Sequence, residues 1–556
     1  MSDTQLRAIV PLGAARVGVG VPLLKRSREL GEAPRTAGLR NAPPPGTNPE
    51  HHQVHSPTMR PHPPGSILKV QDNDPDGRTT PPPSLRTATP TEDAMTAHPH
   101  TPDLFALSEL NGPVLRPGDP AYADEVTGFN LASLHTPDVV VVATGPDDIV
   151  TAMRWAKATG TPVAVQATGH GANFPIERGL LISTSRMTDV RTDPTTRTAT
   201  VAAGAKWSDV LTSAAPHGLA GLCGTSTDAG VIGYTLGGGL PVLGRAYGYA
   251  ADLVRSFRVV TPDGRLREAD PESEPELFWA LRGGKGNVGV VTSLVTELLP
   301  LPRLYGGGIH CPGEHAEALL RAWADWTRTV PDEMCSMFSV LRLPPIPQLP
   351  ESLRGGFWAR VAIAWPGDPA EGEALIAPLR EVAPVAVDLV EEMDYAALDR
   401  IHMEPQDPLP ARECCLLLRE LPPEAISAFL EQVGPTAGVD HPLLVASLRH
   451  MGGALARPAP VEDAVCARDA RYFMESVGVL AAPPVAEAVE QATTRLYTAM
   501  APYGTGHTMV NIHGTPGDEQ DRARAWTPEV YARLRHDKAT YDPANLLRYG
   551  HAVAPA

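Results

Sequence analysis

The chain has 556 residues, long enough for two or three domains and at least one large buried core. Its 47 basic and 64 acidic residues give a formal net charge of −17, which opposes attraction to nucleic acid phosphates or anionic lipid and leaves a small organic molecule as the natural partner. No apolar run reaches the roughly 18 residues of a membrane span, and the six cysteines are scattered without C-x-x-C or a Cys/His metal pattern.

Reduced thiols in a cytoplasmic protein are therefore expected. The mildly apolar stretch from Ile9 to Leu24 is interrupted by Arg16 and is only a weak export signal. Before Phe105 there is no Phe, Tyr or Trp, and runs such as NAPPPGTNPEHH repeat proline and polar residues. A segment of that kind cannot bury enough apolar surface to offset the entropy of ordering it. Residues 1–100 are expected to be disordered, with Met95 a candidate native start.

From Pro137 the texture changes to short alternating elements. DVVVVATG reads as a buried strand, and PDDIVTAMRWAKATG as a helix with Pro146 at its start, Asp147 and Asp148 in its first turn and Gly160 closing it. Strands (PVAVQA, GLLISTS, TATVAAG), a helix (WSDVLTSAAPHG), a glycine-rich region and a hairpin turning at TPDGRL follow. The block ends on a helix (PELFWALRGG) and a strand (VGVVTSLVTELLP). Beyond about Pro300, strands and helices alternate more loosely, as in a second α+β unit, and the last fifty residues give one strand around TMVNIHG, one helix and a tail.

Two glycine patterns bear on chemistry. GKGNVG, Gly284 to Gly289, fits G-x-G-x-x-G, but a dinucleotide fold needs a strand before the glycines and a helix after them. Here a helix precedes and a strand follows, so a nicotinamide site loses most of its support; an NAD(P)-dependent reductase using this loop stays as the alternative. The stretch VAVQATGHGANFPIERG sets His170 between two glycines, and GLCGTSTDAGVIGYTLGGG follows downstream. Glycine lets backbone N–H groups approach a ligand closely and form an anion-binding concavity. Two such loops, at 166–173 and 224–239, point to the pyrophosphate of a dinucleotide cofactor.

The order of these motifs resembles the FAD-linked oxidases of the vanillyl alcohol oxidase superfamily, in particular the berberine bridge enzyme-like branch. The matching pieces are TPDVVVVATGPDDIVTAMRWAKATGTPVAVQATGHGA, GVIGYTLGGG with RAYGYAADLV, ELFWALRGGKGNVGVVTSLVTELLP and YDPANLLRYGHAV. The resemblance implies an α+β fold: a two-lobed PCMH-type FAD-binding domain over residues 101–300 and a substrate domain over 301–500 with an antiparallel sheet covered by helices. A C-terminal segment, 501–556, would return to the FAD domain. It implies FAD bonded covalently to His170, in contact with Gln166, Ala167, Thr168, Gly169, Gly171, Ala172, Ser226, Thr227, Gly230, Val231, Gly233, Tyr234, Gly237, Gly289, Val290, Val291 and Asn511. A second link, from a cysteine eleven residues before the glycine triplet, is absent because Ser226 stands there; Cys223 is expected to be a small core residue.

The implied reaction is oxidation of a C–H bond beside oxygen or nitrogen of a sugar, alcohol or secondary metabolite, with dioxygen reoxidising the flavin. Hydride loss needs a base for the departing proton. Both positions where the family places a tyrosine are replaced, by Leu240 after the glycine triplet and by Met509 and Ile512 around Asn511. His513, Tyr234, Tyr472 and Glu475 are the candidate bases, and a degenerate flavin-binding protein without activity is the rival reading. Trp279 is expected to pack a helix, Glu391 and Glu392 to lie on a solvated helical face, and Arg468 to serve a salt bridge or the substrate.

Overall fold

The computed structural model describes residues 105–556, so the expectation for residues 1–100 lies outside the described residues. Three sheets follow one another along the chain. The first holds β1 (Val114–Leu115), β2 (Val139–Val142), β3 (Val163–Gln166) and β4 (Leu180–Ser183) in the order β1-β2-β4-β3, with β2, β4 and β3 parallel. The four valines of β2 are all buried. Such a β-branched run suits a strand covered on both faces: Val139 and Val141 meet Ile149, Ala152 and Met153 of helix α1 (Pro146–Thr159), and Val140 and Val142 meet Val126 and Ile176. Helix α1 has the expected ends, with Pro146 in its first turn and Gly160 in the left-handed region donating its N–H to the Ala156 carbonyl. Asp148 accepts from the backbone N–H of Asn111, Gly112 and Thr144, which ties the entering chain to that helix.

The second sheet is antiparallel throughout: β5 (Val190–Asp193), β6 (Thr198–Ala202), β7 (Val254–Val260), β8 (Leu266–Ala269) and β9 (Val290–Glu297), in the order β5-β6-β9-β7-β8. Helices α2 (Trp207–Ala214), α3 (Val231–Leu236) and α4 (Pro275–Leu281) share its core through Trp207, Val231 and Phe278.

The third sheet has eight strands. Its strands are β10 (Arg303–Pro312), β11 (Cys335–Arg342), β12 (Phe357–Trp365), β13 (Val387–Asp388), β14 (Glu391–Asp394), β15 (Ala411–Leu418), β16 (Leu443–His450) and β17 (Tyr472–Val479). They run β13-β10-β12-β11-β16-β17-β15, with β14 also paired to β10. Helices α5 (Ala316–Trp326), α6 (Pro369–Arg380), α7 (Pro423–Val433) and α8 (Pro483–Met500) cover one face with an apolar core that includes Trp323, Phe338, Leu448 and Tyr472. Side chains alternate along a strand, so the other face is read off the register: His310 lies opposite Arg360, Arg360 opposite Ser339, Ser339 opposite Ser447, and Ser447 opposite Glu475. This polar row crosses five strands and looks away from the helices.

Two local expectations are corrected. TMVNIHG is a single 3-10 turn at Val510–Ile512 rather than a strand, because Cys415 and Tyr234 engage the Met509 N–H and the Asn511 amide and bend the chain. Glu391 and Glu392 are solvated as expected, but on β14 rather than on a helix, where Arg400 and Arg303 pair with them. The C-terminal helix α9 (Pro528–Tyr541) leads into a tail that docks on the first two sheets: the Val553 N–H donates to Asn287 and the Tyr549 hydroxyl to the Arg178 carbonyl.

Candidate functional site

His170 sits in the turn that leaves β3. Gly169 has φ +72°, and a Cβ there would lie 2.4 Å from the Gly128 Cα, so only glycine fits. The 128–130 segment is held against the turn by the Phe129 N–H on the Thr168 carbonyl at 2.9 Å and the Asn130 N–H on the Gly169 carbonyl at 3.3 Å. The Phe129 ring then stacks on the imidazole, with centroids 3.9 Å apart and 9° between planes. His170 Nδ1 is 2.9 Å from the Thr168 hydroxyl, while Nε2 is buried without a partner. Burial, with Asp228 opposing and Lys206 assisting, pulls the His170 pKa down to about 4. At neutral pH the ring is uncharged, and the tautomer donating from Nδ1 leaves a free lone pair on Nε2.

The second glycine loop comes to the same place. A Cβ at Gly230 would lie 3.5 Å from the Thr168 side chain and 3.6 Å from that of Ala167, so the 166–173 and 224–239 loops face each other. Lys206 bridges Gly230 through its backbone and pairs with Asp228 at 2.5 Å. Asp399 fixes Thr227 by accepting from its N–H at 2.9 Å and from its hydroxyl. Ser226 accepts from the Asp228 N–H. A Cβ at Gly237 would collide with Asn511, whose amide donates to the Tyr234 carbonyl at 2.9 Å and whose Oδ1 is buried without a partner. Open space surrounds Gly171 and Gly233, where a Cβ would meet no atom within 4 Å. Val290 and Val291 point into apolar cores, so only their backbone is available to a ligand.

These residues fit a flavin dinucleotide. A neutral imidazole whose Nε2 has no partner, two glycine loops approaching within van der Waals range, and unpartnered polar atoms on Gln166 and Asn511 together present what an aromatic ring system carrying a pyrophosphate needs. The GKGNVG loop lies between α4 and β9, helix first, as its sequence context implies. Its Lys285, at φ +62°, donates to the Gly233 carbonyl at 3.2 Å, and burial lowers its pKa to about 8.

The four candidate bases separate cleanly. Tyr472 faces the helix layer, its hydroxyl 2.9 Å from that of Thr327 and its ring against Trp323. His513 uses both ring nitrogens, on Thr508 at 2.6 Å and on Asp521 at 3.0 Å, which leaves no site for a substrate proton. Tyr234 is held edge-on to Trp207 with its hydroxyl unpartnered, and burial raises its pKa well above 10. Glu475, on the polar face, is half-buried. Burial and then the nearby carboxylates of Glu413 and Glu404 push its pKa up to about 8. Of the four, Glu475 alone combines access with a pKa suited to taking a proton near neutrality.

Sequence reasoning missed Phe129, Glu404, Glu413 and Arg449. Glu413 was within reach, since β15 and β17 each place an acid on the same side of a two-residue alternation; Glu404 follows the left-handed Met403 (φ +54°) in irregular chain and gives no periodic signal. Cys223 is a core residue, fully buried, its thiol pushed up to about 12 by burial. Trp279 is buried beneath Arg533. Arg468 serves structure, pairing with Asp252 at 2.6 Å and Asp463 at 2.7 Å.

Comparison with known proteins agrees with this geometry. Residues 137–270 match the family described as an FAD binding domain. The FAD-linked oxidoreductase YgaK of Bacillus subtilis is 26% identical over 464 residues, covering 81% of this chain and 98% of its own. The (R)-6-hydroxynicotine oxidase of Paenarthrobacter nicotinovorans is 24% identical over 475 residues, covering 80% and 97%. The solved structure of Physcomitrella patens BBE-like 1 superposes with a TM-score of 0.71 at 17% identity, covering 81% of this chain and 98% of its own.

Proposed function

We propose that this chain, a member of the FAD-linked oxidoreductases of the vanillyl alcohol oxidase superfamily, holds FAD covalently through His170 and oxidises a C–H bond beside oxygen or nitrogen of a small organic substrate. In this reading Glu475 takes the departing proton, and dioxygen is the final electron acceptor. FAD, when bound, supplies the hydride acceptor. The protein's own part is positioning and proton transfer.

The observation that carries the reading is the buried His170 imidazole, whose Nε2 has no partner. An imidazole kept neutral by burial and oriented through Nδ1 is a competent nucleophile at physiological pH. Phe129 fixes the plane of the ring, and Asp399 fixes the loop opposite it. Glu475 stands on the polar face of the third sheet, opposite Ser447. Its raised pKa keeps a usable balance between the two protonation states near pH 7–8, which a base that is reset every turnover requires. Gly171 and Gly233 leave open space that a ligand's phosphates or ring edge would occupy.

The helix-first order around GKGNVG supports the flavin reading over a nicotinamide one. The six cysteines are free thiols, which supports a reducing compartment such as the cytoplasm. Among the described residues no helix is long and apolar enough to cross a membrane. Flavin fluorescence on a denaturing gel tests the attachment: it should be present in the unaltered protein and in Cys223→Ala and absent in His170→Ala. Loss of the band in Cys223→Ala, or its persistence in His170→Ala, would overturn the assignment.

A further inference from the structure

We propose that the C-terminal tail after α9 is a strap whose docking is completed by bound FAD, with His551 as the side chain through which it meets the cofactor. The proposal rests on the flavoprotein reading above and assigns a further cofactor contact to that same site.

The strap has a closed root. Lys538 and Asp542, at the end of α9, have fully buried side chains and pair at 2.6 Å. The Lys538 ammonium also donates to the Asn287 carbonyl at 3.0 Å and the Leu547 carbonyl at 2.7 Å, so all three of its donors are used. The Asp542 carboxylate accepts from the N–H groups of Leu546 and Leu547 at 2.8 and 2.9 Å. Beyond this root the chain passes Asn545, in the left-handed region at φ +49°, and forms neither helix nor strand through Ala556. It is held there by separate bonds: the Val163 N–H on the Leu546 carbonyl at 2.8 Å, the Tyr549 hydroxyl on the Arg178 carbonyl at 2.6 Å, the Val553 N–H on the Asn287 side chain at 2.8 Å, and Arg535 on Pro555 and Ala556 at 3.1 Å each. A segment attached in this way opens at lower cost than one laddered into a sheet.

Its attachment points surround the cofactor residues. Val163 opens β3, which leads into the His170 turn; Phe174 and Arg178 follow that turn, and a Cβ at Gly550 would lie 3.0 Å from the Phe174 ring. The His551 carbonyl accepts from Asn287 Nδ2 at 3.4 Å, in the GKGNVG loop, and the His551 ring lies edge-on to His513 at 5.1 Å, two residues from Asn511. Those two neighbours both reach the second glycine loop, Lys285 at the Gly233 carbonyl and Asn511 at the Tyr234 carbonyl. His551 differs from an ordinary packed side chain. Both of its ring nitrogens are buried and neither has a hydrogen-bond partner among the described residues, and Asn511 Oδ1 shares that condition. Buried polar atoms are paired in a completed site, and the room left at Gly233 is cofactor space in the reading above. A cofactor that supplies the missing partners couples its own binding to docking of the tail.

Hydrogen exchange of the full chain reads this coupling. His170→Ala, freed of FAD by gel filtration in concentrated bromide, is compared with and without FAD added back. Amides 546–553 should exchange about tenfold or more slowly with FAD, while amides of α7, in the helix layer of the third sheet, change less than about twofold. In the same chain His551→Phe keeps an aromatic ring without nitrogens and should weaken FAD about tenfold or more, read by quenching of flavin fluorescence, whereas His551→Gln restores hydrogen-bonding groups and should bind within about threefold of the parent. Tail exchange that is equal with and without FAD, FAD affinity unchanged in His551→Phe, or His551→Gln no tighter than His551→Phe would overturn the proposal while leaving a yellow protein a flavoprotein. An unaltered protein that is colourless and takes up no FAD would instead remove the reading beneath it.

Discussion

Glu475→Gln keeps the shape of the side chain and abolishes its proton chemistry, so it separates two consequences of one carboxyl. In the folded chain burial and the neighbouring Glu413 and Glu404 raise this carboxyl from its ordinary 4.5 to about 8. At pH 7 the native state therefore keeps it mostly protonated and the unfolded state ionises it. The native state binds the extra proton, so stability falls as pH rises from about 4.5 to about 8 and is flat above that window. At about 1.4 kcal/mol per unit, holding this acid at pH 7 costs roughly 3 kcal/mol. Urea unfolding should find Glu475→Gln equal to the parent near pH 4.5 and more stable by an amount growing towards that figure at pH 7. Anaerobic mixing with an oxidisable substrate should show flavin reduction slowed by roughly 10²–10⁴-fold, the scale of a lost general base. A variant less stable than its parent at pH 7, or one that reduces flavin at the parental rate, would refute the assignment.

Tyr472→Phe removes only the bond to Thr327 and should lower stability by about 1 kcal/mol with flavin reduction unchanged, as read by denaturant titration beside rapid mixing. Arg468→Ala leaves Asp252 and Asp463 without their cation in a buried network, so its unfolding free energy should fall by about 3–5 kcal/mol while covalent flavin is retained. Phe129→Ala uncovers one face of His170, which should let its pKa rise from about 4 towards the free value; an NMR titration of the ring in apoprotein and a lower covalent flavin yield at pH 5 than at pH 8 would show it.

What the sequence disclosed followed local periodicity. DVVVV reads as a strand buried on both faces because four β-branched residues in a row have no polar side to turn outward, and the Pro146 start and Gly160 stop fix α1 from backbone chemistry alone. The His170 turn is legible because its neighbours lack bulk. The base was harder. Tyr472 and Glu475 are three apart on β17, so they point to opposite faces, and which face meets the cofactor depends on the helices packed behind Tyr472. His513 was read on a strand, yet the chain there is a turn set by Cys415 and Tyr234, nearly a hundred or more residues away. Glu413 and Glu475 come from separate stretches, and only the register of β15 and β17 makes them diagonal neighbours.

The most direct test of the central claim is the visible spectrum of purified protein before and after acid precipitation. A yellow protein whose colour stays with the washed pellet, on the peptide containing His170, is the predicted result. Colourless protein, or colour released wholly into the supernatant, would contradict a flavin bonded at that residue.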